Sequence, residues 1–114
     1  MIDVQVLILK EKICIVTPDI TYLDAFYAPS FREAVVPQVN GYCYLVLDCS
    51  HVQYVDSTGL ASLIHVFKAL SAGGCMALVS MNKNFTTLLE QAMLNQLFPC
   101  FDTVDAAVAA WDVS

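Results

Sequence analysis

The tetrapeptide Asp56-Ser57-Thr58-Gly59 has the residue types best suited to chemistry in this sequence. It places a carboxylate, two hydroxyls and a residue without a Cβ where strand-like periodicity changes to helical periodicity. A helix N-terminus carries unpaired N–H groups and about half a unit of positive charge, so it can accommodate a phosphate. Asp, Ser and Thr are also the ordinary N-capping residues. The tetrapeptide by itself is therefore compatible with a phosphate site or with capping alone.

Enzyme chemistry has little support in the sequence. A hydrolase nucleophile elbow requires Gly two residues before the serine, and Val55 stands there relative to Ser57. His51 and His65 are the only candidate bases, and we expect His65 to pack, partly buried, on a helix far from Ser57. No glycine-rich phosphate-binding motif and no metal-ligand cluster occurs. We therefore predict no enzyme activity, no cofactor and no metal.

The composition indicates one domain covering residues 1–114. Of the 114 residues, 58% are apolar and 14% are charged, which is enough apolar surface for a real core. The net charge of -6 disfavours nucleic acid and anionic membranes as partners. The longest uncharged stretches, Ala34–Leu47 and Ala69–Asn82, are too short to span a bilayer. No signal peptide is recognisable, so we expect a cytoplasmic protein.

The cysteines predict neither disulfides nor a metal site. They are odd in number, contain no Cys-x-x-Cys pair and stand mostly in apolar runs. We expect all five to be small buried apolar side chains: Cys14, Cys43, Cys49, Cys75 and Cys100.

The strands that are expected to position Asp56-Ser57-Thr58-Gly59 are predicted from apolar, β-branched runs. Val4–Leu9 and Ile13–Val16, separated by the charged residues Lys10-Glu11-Lys12, predict an opening hairpin. The continuous apolar run Tyr42–Leu47 predicts a central strand covered on both faces. Two further strands are predicted at Cys75–Val79 and Phe98–Val104.

Helices are predicted between these strands. Ser30 and Glu33 have capping-box spacing, which predicts a short helix over Ser30–Val36 that Pro37 kinks or ends. Apolar residues at helical spacing follow Thr58, and Gly73-Gly74 supplies a left-handed stop. Two more helices are predicted at Phe85–Met93 and Asp105–Trp111. The order β-β-α-β-α-β-α-β-α predicts an α/β fold with a mixed sheet and helices packed on it.

Four motifs follow one another along most of the chain. They are Leu45-Val46-Leu47-Asp48, Val55–Leu60, Gly73-Gly74, and Leu88-Leu89-Glu90 followed by Leu97-Phe98-Pro99. Taken jointly, they resemble the STAS domain family, which includes bacterial anti-sigma-factor antagonists and the cytosolic tails of sulfate-transporter-type anion carriers. The resemblance implies a domain that works by binding.

The resemblance to the antagonists also implies a switch. Their serine immediately after the motif Asp is phosphorylated by a partner kinase, and it matches Ser57, with Thr58 as the competing acceptor. Leu23-Asp24 is similar to a Leu-Asp pair whose Asp lies near the phosphorylation site at the start of the family's first helix. The implied partner-binding residues are Asp24, Asp56, Ser57, Thr58 and Gly59. The implied partners are an anti-sigma factor that is also an ATP-dependent serine kinase, and a phosphatase.

A second function is implied by the segment Phe26–Ala34. It looks more like the aromatic-rich first helix of the transporter-associated members of the family. In that alternative the protein is a STAS subunit or regulatory domain of a membrane transporter, and the same loop docks constitutively on a partner subunit.

The sequence contains two groups of aromatic residues, and we expect both groups to pack in the core. The groups are Tyr22, Phe26 and Tyr27, and Phe98, Phe101 and Trp111. The resemblance places the first group beside the Ser57 loop, so any exposed part of it is a candidate partner-binding patch.

Overall fold

Five strands form the main sheet in the computed structural model, which describes residues 2–111. The strands in chain order are β1 (Val4–Leu9), β2 (Ile13–Pro18), β3 (Tyr22–Leu23), β4 (Tyr44–Asp48), β5 (Tyr54–Val55), β6 (Cys75–Val79) and β7 (Cys100–Phe101). The sheet order is β1-β2-β4-β6-β7, with β1 antiparallel to β2 and the other neighbours parallel. Strands β3 and β5 pair in parallel as a separate two-stranded sheet. Residue 1 and residues 112–114 of the predicted domain lie outside the described residues.

The helices of the described chain connect and cover these strands. They are α1 (Ala28–Val39), α2 (Ser57–Lys68), α3 (Lys83–Gln91) and α4 (Val104–Trp111), with a short 3-10 helix at Leu94–Gln96. The predicted α/β class and mixed sheet are confirmed, and the chain order adds only β3, β5 and the 3-10 helix. None of the helices between residues 2 and 111 has the length and apolar character needed to cross a membrane.

Strand β4 lies at the centre of the sheet, as its continuous apolar run predicts. Leu45 and Leu47 belong to the larger core cluster, together with buried residues of α1 and α2. Val46, between them, faces the other side and belongs to a smaller cluster with Ala107 of α4. Because successive side chains of a strand alternate between faces, both faces of β4 are buried.

The predicted opening hairpin is confirmed as β1 and β2 joined by a tight turn. The backbone N–H of Lys12 donates to the carbonyl oxygen of Leu9 at 3.0 Å. Lys10 and Glu11 have φ values of 51° and 59°. Positive φ at both central residues is the type I′ geometry, which matches the twist of the flanking strands but suits Asn and Gly better than Lys and Glu.

Replacing Glu11 by glycine should raise the free energy of unfolding by about 0.5–1 kcal/mol. A left-handed residue with a Cβ carries a penalty of about 1–2 kcal/mol, and the greater unfolded-state entropy of glycine cancels about 0.4–1 kcal/mol of the gain. Chemical denaturation measures the difference. Glu11→Ala is the control, because it removes the charge and keeps the Cβ. An equal gain in both variants would trace the effect to charge and contradict the explanation by backbone conformation.

Helix α1 begins earlier than predicted, at Ala28 instead of Ser30. The predicted capping box of Ser30 and Glu33 is wrong, because Ser30 already lies inside the first turn. Pro29 occupies that turn, where its missing N–H has no helical partner to lose. The start of the helix is therefore set by the proline and by the loop before it.

Helix α1 also ends later than predicted, at Val39, with Pro37 inside it. Pro37 is exposed, so the hydrogen bond that it cannot make lies on the solvent side of the helix. Phe31, Val35 and Val39 are fully buried at helical spacing. Burial of this stripe keeps the helix intact past the proline.

Helix α2 ends at Lys68, and the predicted stop at Gly73-Gly74 is wrong. Ala69, the residue after the helix, has right-handed backbone angles. Gly73, with φ 78°, instead belongs to a turn closed by the N–H of Gly74 and the carbonyl oxygen of Ser71 at 2.8 Å. The glycine pair therefore lies in the turn that leads into β6 and does not cap α2.

The prediction of five buried cysteines holds for two of them. Cys14 and Cys49 are buried, and burial raises the pKa of both thiols. Cys43 and Cys100 are exposed and Cys75 is half-buried, so the prediction is wrong there. These three lie just before β4, on the edge strand β7 and at the first residue of β6, where the sheet is less covered.

Candidate functional site

Asp56 is the N-cap of helix α2, and Ser57 is the first residue of that helix. Asp56 has an extended backbone, and its Oδ1 accepts a hydrogen bond from the N–H of Gly59 at 2.8 Å. Ser57 and Thr58 are exposed, and within residues 2–111 neither hydroxyl is engaged in a hydrogen bond. Capping is thus carried out by the aspartate alone, and the serine hydroxyl is accessible at the positive end of the helix.

The other oxygen of the Asp56 carboxylate binds a second loop. Its Oδ2 accepts from the backbone N–H of Ala25 at 3.1 Å. The N–H of Asp56 donates in turn to the carbonyl oxygen of Leu23 at 3.2 Å. The loop between β3 and α1 is therefore held against the N-terminus of α2, although 31 residues separate Ala25 and Asp56 in the chain.

Asp24 shapes that second loop from within. Its Oδ1 accepts from the N–H groups of Phe26 and Tyr27 at 3.1 and 3.0 Å. Its carbonyl oxygen accepts from the N–H of Ala28, the first residue of α1. Asp24 lies in the loop, four residues before the helix, and not in the helix itself. Its neighbour Ala25 bonds to Asp56, so the structure places both predicted aspartates in one site.

Gly59 is buried where the two segments meet. A Cβ built on it would overlap the carbonyl oxygen of Leu23 and lie 2.7 Å from its carbonyl carbon. A side chain of any size is therefore excluded while β3 and α2 keep their positions. Within the predicted site, Gly59 is buried and allows α2 to approach β3, whereas Ser57 and Thr58 are exposed to a partner.

Four exposed aromatic side chains lie on the segments next to this site, and we call them the aromatic cluster: Tyr22, Phe26, Tyr27 and Tyr54. Phe26 is 79% exposed, Tyr22 and Tyr54 are each 51% exposed and Tyr27 is 39% exposed. The rings of Tyr22 and Tyr27 stack with centroids 6.4 Å apart, and Phe26 packs edge-on against Tyr27 at 4.9 Å. The prediction that the first three pack in the core is wrong, because β3 and its loop lie outside the main sheet.

Tyr54 is the member of the aromatic cluster that sequence reasoning missed. It pairs with Tyr22 in the register of β3 and β5, so the two side chains are neighbours. The alternation of exposed Tyr54 with buried Val55 is a strand signal, but two residues are too few to establish a period.

The second aromatic group packs in the core as predicted. Phe98 is fully buried against Phe67, with ring centroids 5.6 Å apart. Trp111 and Phe101 are half-buried, and the ring of Trp111 lies 5.1 Å from that of Tyr44.

Neither histidine forms a catalytic arrangement with Ser57 in the described part of the chain. His65 is exposed on α2, so the prediction that it packs partly buried is wrong: the buried face of this helix is formed by Leu60, Leu63 and Val66. His51 is exposed in the loop after β4. Between residues 2 and 111, no three His, Cys, Asp or Glu side chains are grouped so as to hold a metal ion.

Anti-sigma factor antagonists of two bacterial genera match part of the sequence. A Thermotoga maritima protein provisionally named an anti-sigma factor antagonist is 32% identical over 70 residues, which is 60% of this chain and 62% of the relative. The anti-sigma-B factor antagonist of Listeria monocytogenes is 43% identical over 49 residues, which is 42% of this chain and 43% of the relative. The chain thus spans less than two thirds of the length of these relatives.

Solved structures match a larger part of the chain. The crystal structure of an anti-sigma factor antagonist from Thermotoga maritima, also provisionally named, has a TM-score of 0.83 and 26% identity, covering 94% of this chain and 92% of the other. The mouse anion transporter Slc26a9 has a TM-score of 0.72 and 22% identity, covering 85% of this chain and 17% of the transporter. The likeness to the transporter concerns the fold alone.

The family model for the STAS domain matches residues 6–107. This range contains the central strand β4, the Asp56-Ser57-Thr58-Gly59 tetrapeptide at the start of α2 and the loop that Asp56 holds in place. The chain therefore belongs to the STAS domain family.

Proposed function

We propose that this protein is a cytoplasmic anti-sigma-factor antagonist that regulates transcription by binding and is switched off by phosphorylation of Ser57. Its partner is an anti-sigma factor that is also an ATP-dependent serine kinase, and a phosphatase restores the active form. The unphosphorylated protein holds the anti-sigma factor and so frees the sigma factor. The names of the Thermotoga and Listeria relatives support this role.

One observation carries the proposal: Ser57 is exposed at the first position of α2 while Asp56 alone caps the helix. A kinase can therefore modify the hydroxyl without removing a hydrogen bond on which the helix depends. The hydrogen bonds that Asp56 and Asp24 accept come from backbone N–H groups and do not involve the Ser57 hydroxyl.

The charge of a phosphate explains why binding fails while the fold survives. Phosphorylation adds about 1.5–2 negative charges beside Asp56 and near Asp24. Inside the fold, the positive end of α2 offsets about 0.3–1 kcal/mol of the repulsion. Like charges forced together when an interface closes cost several kcal/mol. The phosphorylated protein is therefore expected to stay folded and to lose its partner.

Phosphopeptide mapping tests the acceptor. After incubation with ATP and the purified anti-sigma factor kinase of the same organism, we expect one phosphate on Ser57. Ser57→Ala should abolish incorporation, and Thr58→Ala should not. Both variants keep the Asp56 cap, so both should fold. Phosphate on Thr58 alone would refute the assignment to Ser57, and none on either residue would refute the switch.

Constitutive docking on a membrane transporter is the second candidate. The likeness in fold to part of the anion transporter Slc26a9 and the aromatic segment Phe26–Ala34 favour it. In that case a pull-down should recover transporter subunits, and Ser57→Asp should not change the recovery. Under the first proposal, Ser57→Asp reduces recovery of the anti-sigma factor.

A further inference from the structure

We infer that the aromatic cluster, and Phe26 above all, is the apolar anchor by which the protein binds its partner. The identity of the partner rests on the function proposed above. Phe26 is 79% exposed, more than any other large apolar side chain in the described part of the chain. An aromatic ring held in water in this way is typical of a residue that is buried in a complex.

Hydrogen bonds within the protein constrain the loop that carries Phe26. Three hydrogen bonds hold it: the N–H groups of Phe26 and Tyr27 donate to Asp24, and that of Ala25 donates to Asp56. The ring of Tyr27 packs between those of Tyr22 and Phe26. Because these contacts restrict the loop before binding, less conformational entropy has to be lost in the complex.

The aromatic cluster and Ser57 belong to one continuous surface. The same Asp56 carboxylate accepts from Gly59, two residues after Ser57, and from Ala25, one residue before Phe26. We therefore expect a partner that covers the Ser57 hydroxyl also to contact the loop that carries Phe26. This continuity explains how a charge added at Ser57 opposes an interaction whose main apolar contact lies on another loop.

The charges of this surface define the partner that fits it. The hydrogen bonds that Asp24 and Asp56 accept come from backbone N–H groups, so both carboxylates keep their negative charge at this surface. A complementary partner offers an apolar pocket for Phe26, with basic side chains at its rim. A second copy of this chain would bring together two molecules of net charge -6 with the same acidic site, and an anionic bilayer would repel it. We therefore assign the surface to a protein with a basic rim, the anti-sigma factor.

Isothermal titration of the purified anti-sigma factor kinase tests the anchor. Phe26→Ala should weaken binding by about 30-fold or more, as truncation of an interface hot spot does. Met93→Ala is the matched control, since Met93 is 61% exposed and lies beyond α3, outside the aromatic cluster. It should leave the dissociation constant within about twofold of the wild type. Circular dichroism should show both variants folded, because neither side chain belongs to the core.

Three outcomes would overturn the anchor. One is unchanged binding by Phe26→Ala, and another is equal weakening by Phe26→Ala and Met93→Ala. The third is a concentration-dependent dimer of the wild type that Phe26→Ala abolishes in analytical ultracentrifugation, since that assigns the surface to a second copy. Failure of the switch is distinguishable: weak binding by Phe26→Ala with normal binding by Ser57→Asp retains the anchor and refutes the switch.

Discussion

Replacing Gly59 by alanine should lower the free energy of unfolding by about 2–3 kcal/mol, the upper part of the usual cost of overpacking a buried position. The new methyl group would overlap the carbonyl oxygen of Leu23. That carbonyl cannot move aside at low cost, because it accepts from the N–H of Asp56 and belongs to the strand paired with β5. Alanine gains about 1 kcal/mol over glycine in helix propensity, which the overlap outweighs.

Thr58→Ala is the control for this prediction, since Thr58 is the preceding residue of the same helical turn and is exposed. Its effect should stay within about 0.5 kcal/mol. Denaturant unfolding measures both variants, and hydrogen exchange of the Ala25 amide reports whether the two loops have separated. An unfolding free energy for Gly59→Ala equal to or above that of the wild type would show that β3 and α2 move apart freely, and would contradict the role assigned to Gly59.

Phosphorylation of Ser57 should weaken binding of the anti-sigma factor by about 100-fold or more, since like charges juxtaposed in an interface cost several kcal/mol. Ser57→Asp carries less charge than phosphoserine and should weaken binding by about 10-fold. Ser57→Ala should bind like the wild type, because the Ser57 side chain makes no hydrogen bond in the described chain and Asp56 retains the cap.

Thr87→Asp is the control that separates the effect of a charge at Ser57 from the effect of a more negative net charge. Thr87 is exposed on α3, outside the two segments that carry Ser57 and Asp24, so this variant adds the same charge to the same acidic protein on another element. It should bind normally. Equal weakening by Ser57→Asp and Thr87→Asp would reduce the effect to net charge, and normal binding by the phosphorylated protein would refute the switch.

The fold class and most elements could be predicted from local patterns. Val4–Leu9 and Cys75–Val79 are strands with the predicted bounds, because each is a continuous run with clear strand propensity. The position of Asp56-Ser57-Thr58-Gly59 at the start of a helix also follows from residue types, since these residues favour helix N-termini.

The errors arise where the partner of a group lies far away in the chain. The start of α1 depends on Pro29 and on the loop shaped by Asp24, which a local capping pattern at Ser30 cannot reveal. His65 is exposed because another face of α2 packs on the core, and Cys100 is exposed because β7 is an edge strand of the sheet. Strands β3 and β5 have two residues each, too few for a periodic signal, and they exist only because they pair with each other.

Local patterns alone indicate that a serine follows an aspartate at the beginning of a helix in an α/β domain, because periodicity and capping preferences are local properties. The folded chain adds three features that these patterns do not contain: the Asp56 carboxylate also binds Ala25, Gly59 admits the Leu23 carbonyl, and Phe26 is left in water. The Asp56–Ala25 bond joins residues that are 31 positions apart in the chain, and the Gly59–Leu23 contact joins the same two segments. Their geometry depends on how β3 and β5 pair outside the main sheet, and no local pattern of residues encodes that arrangement.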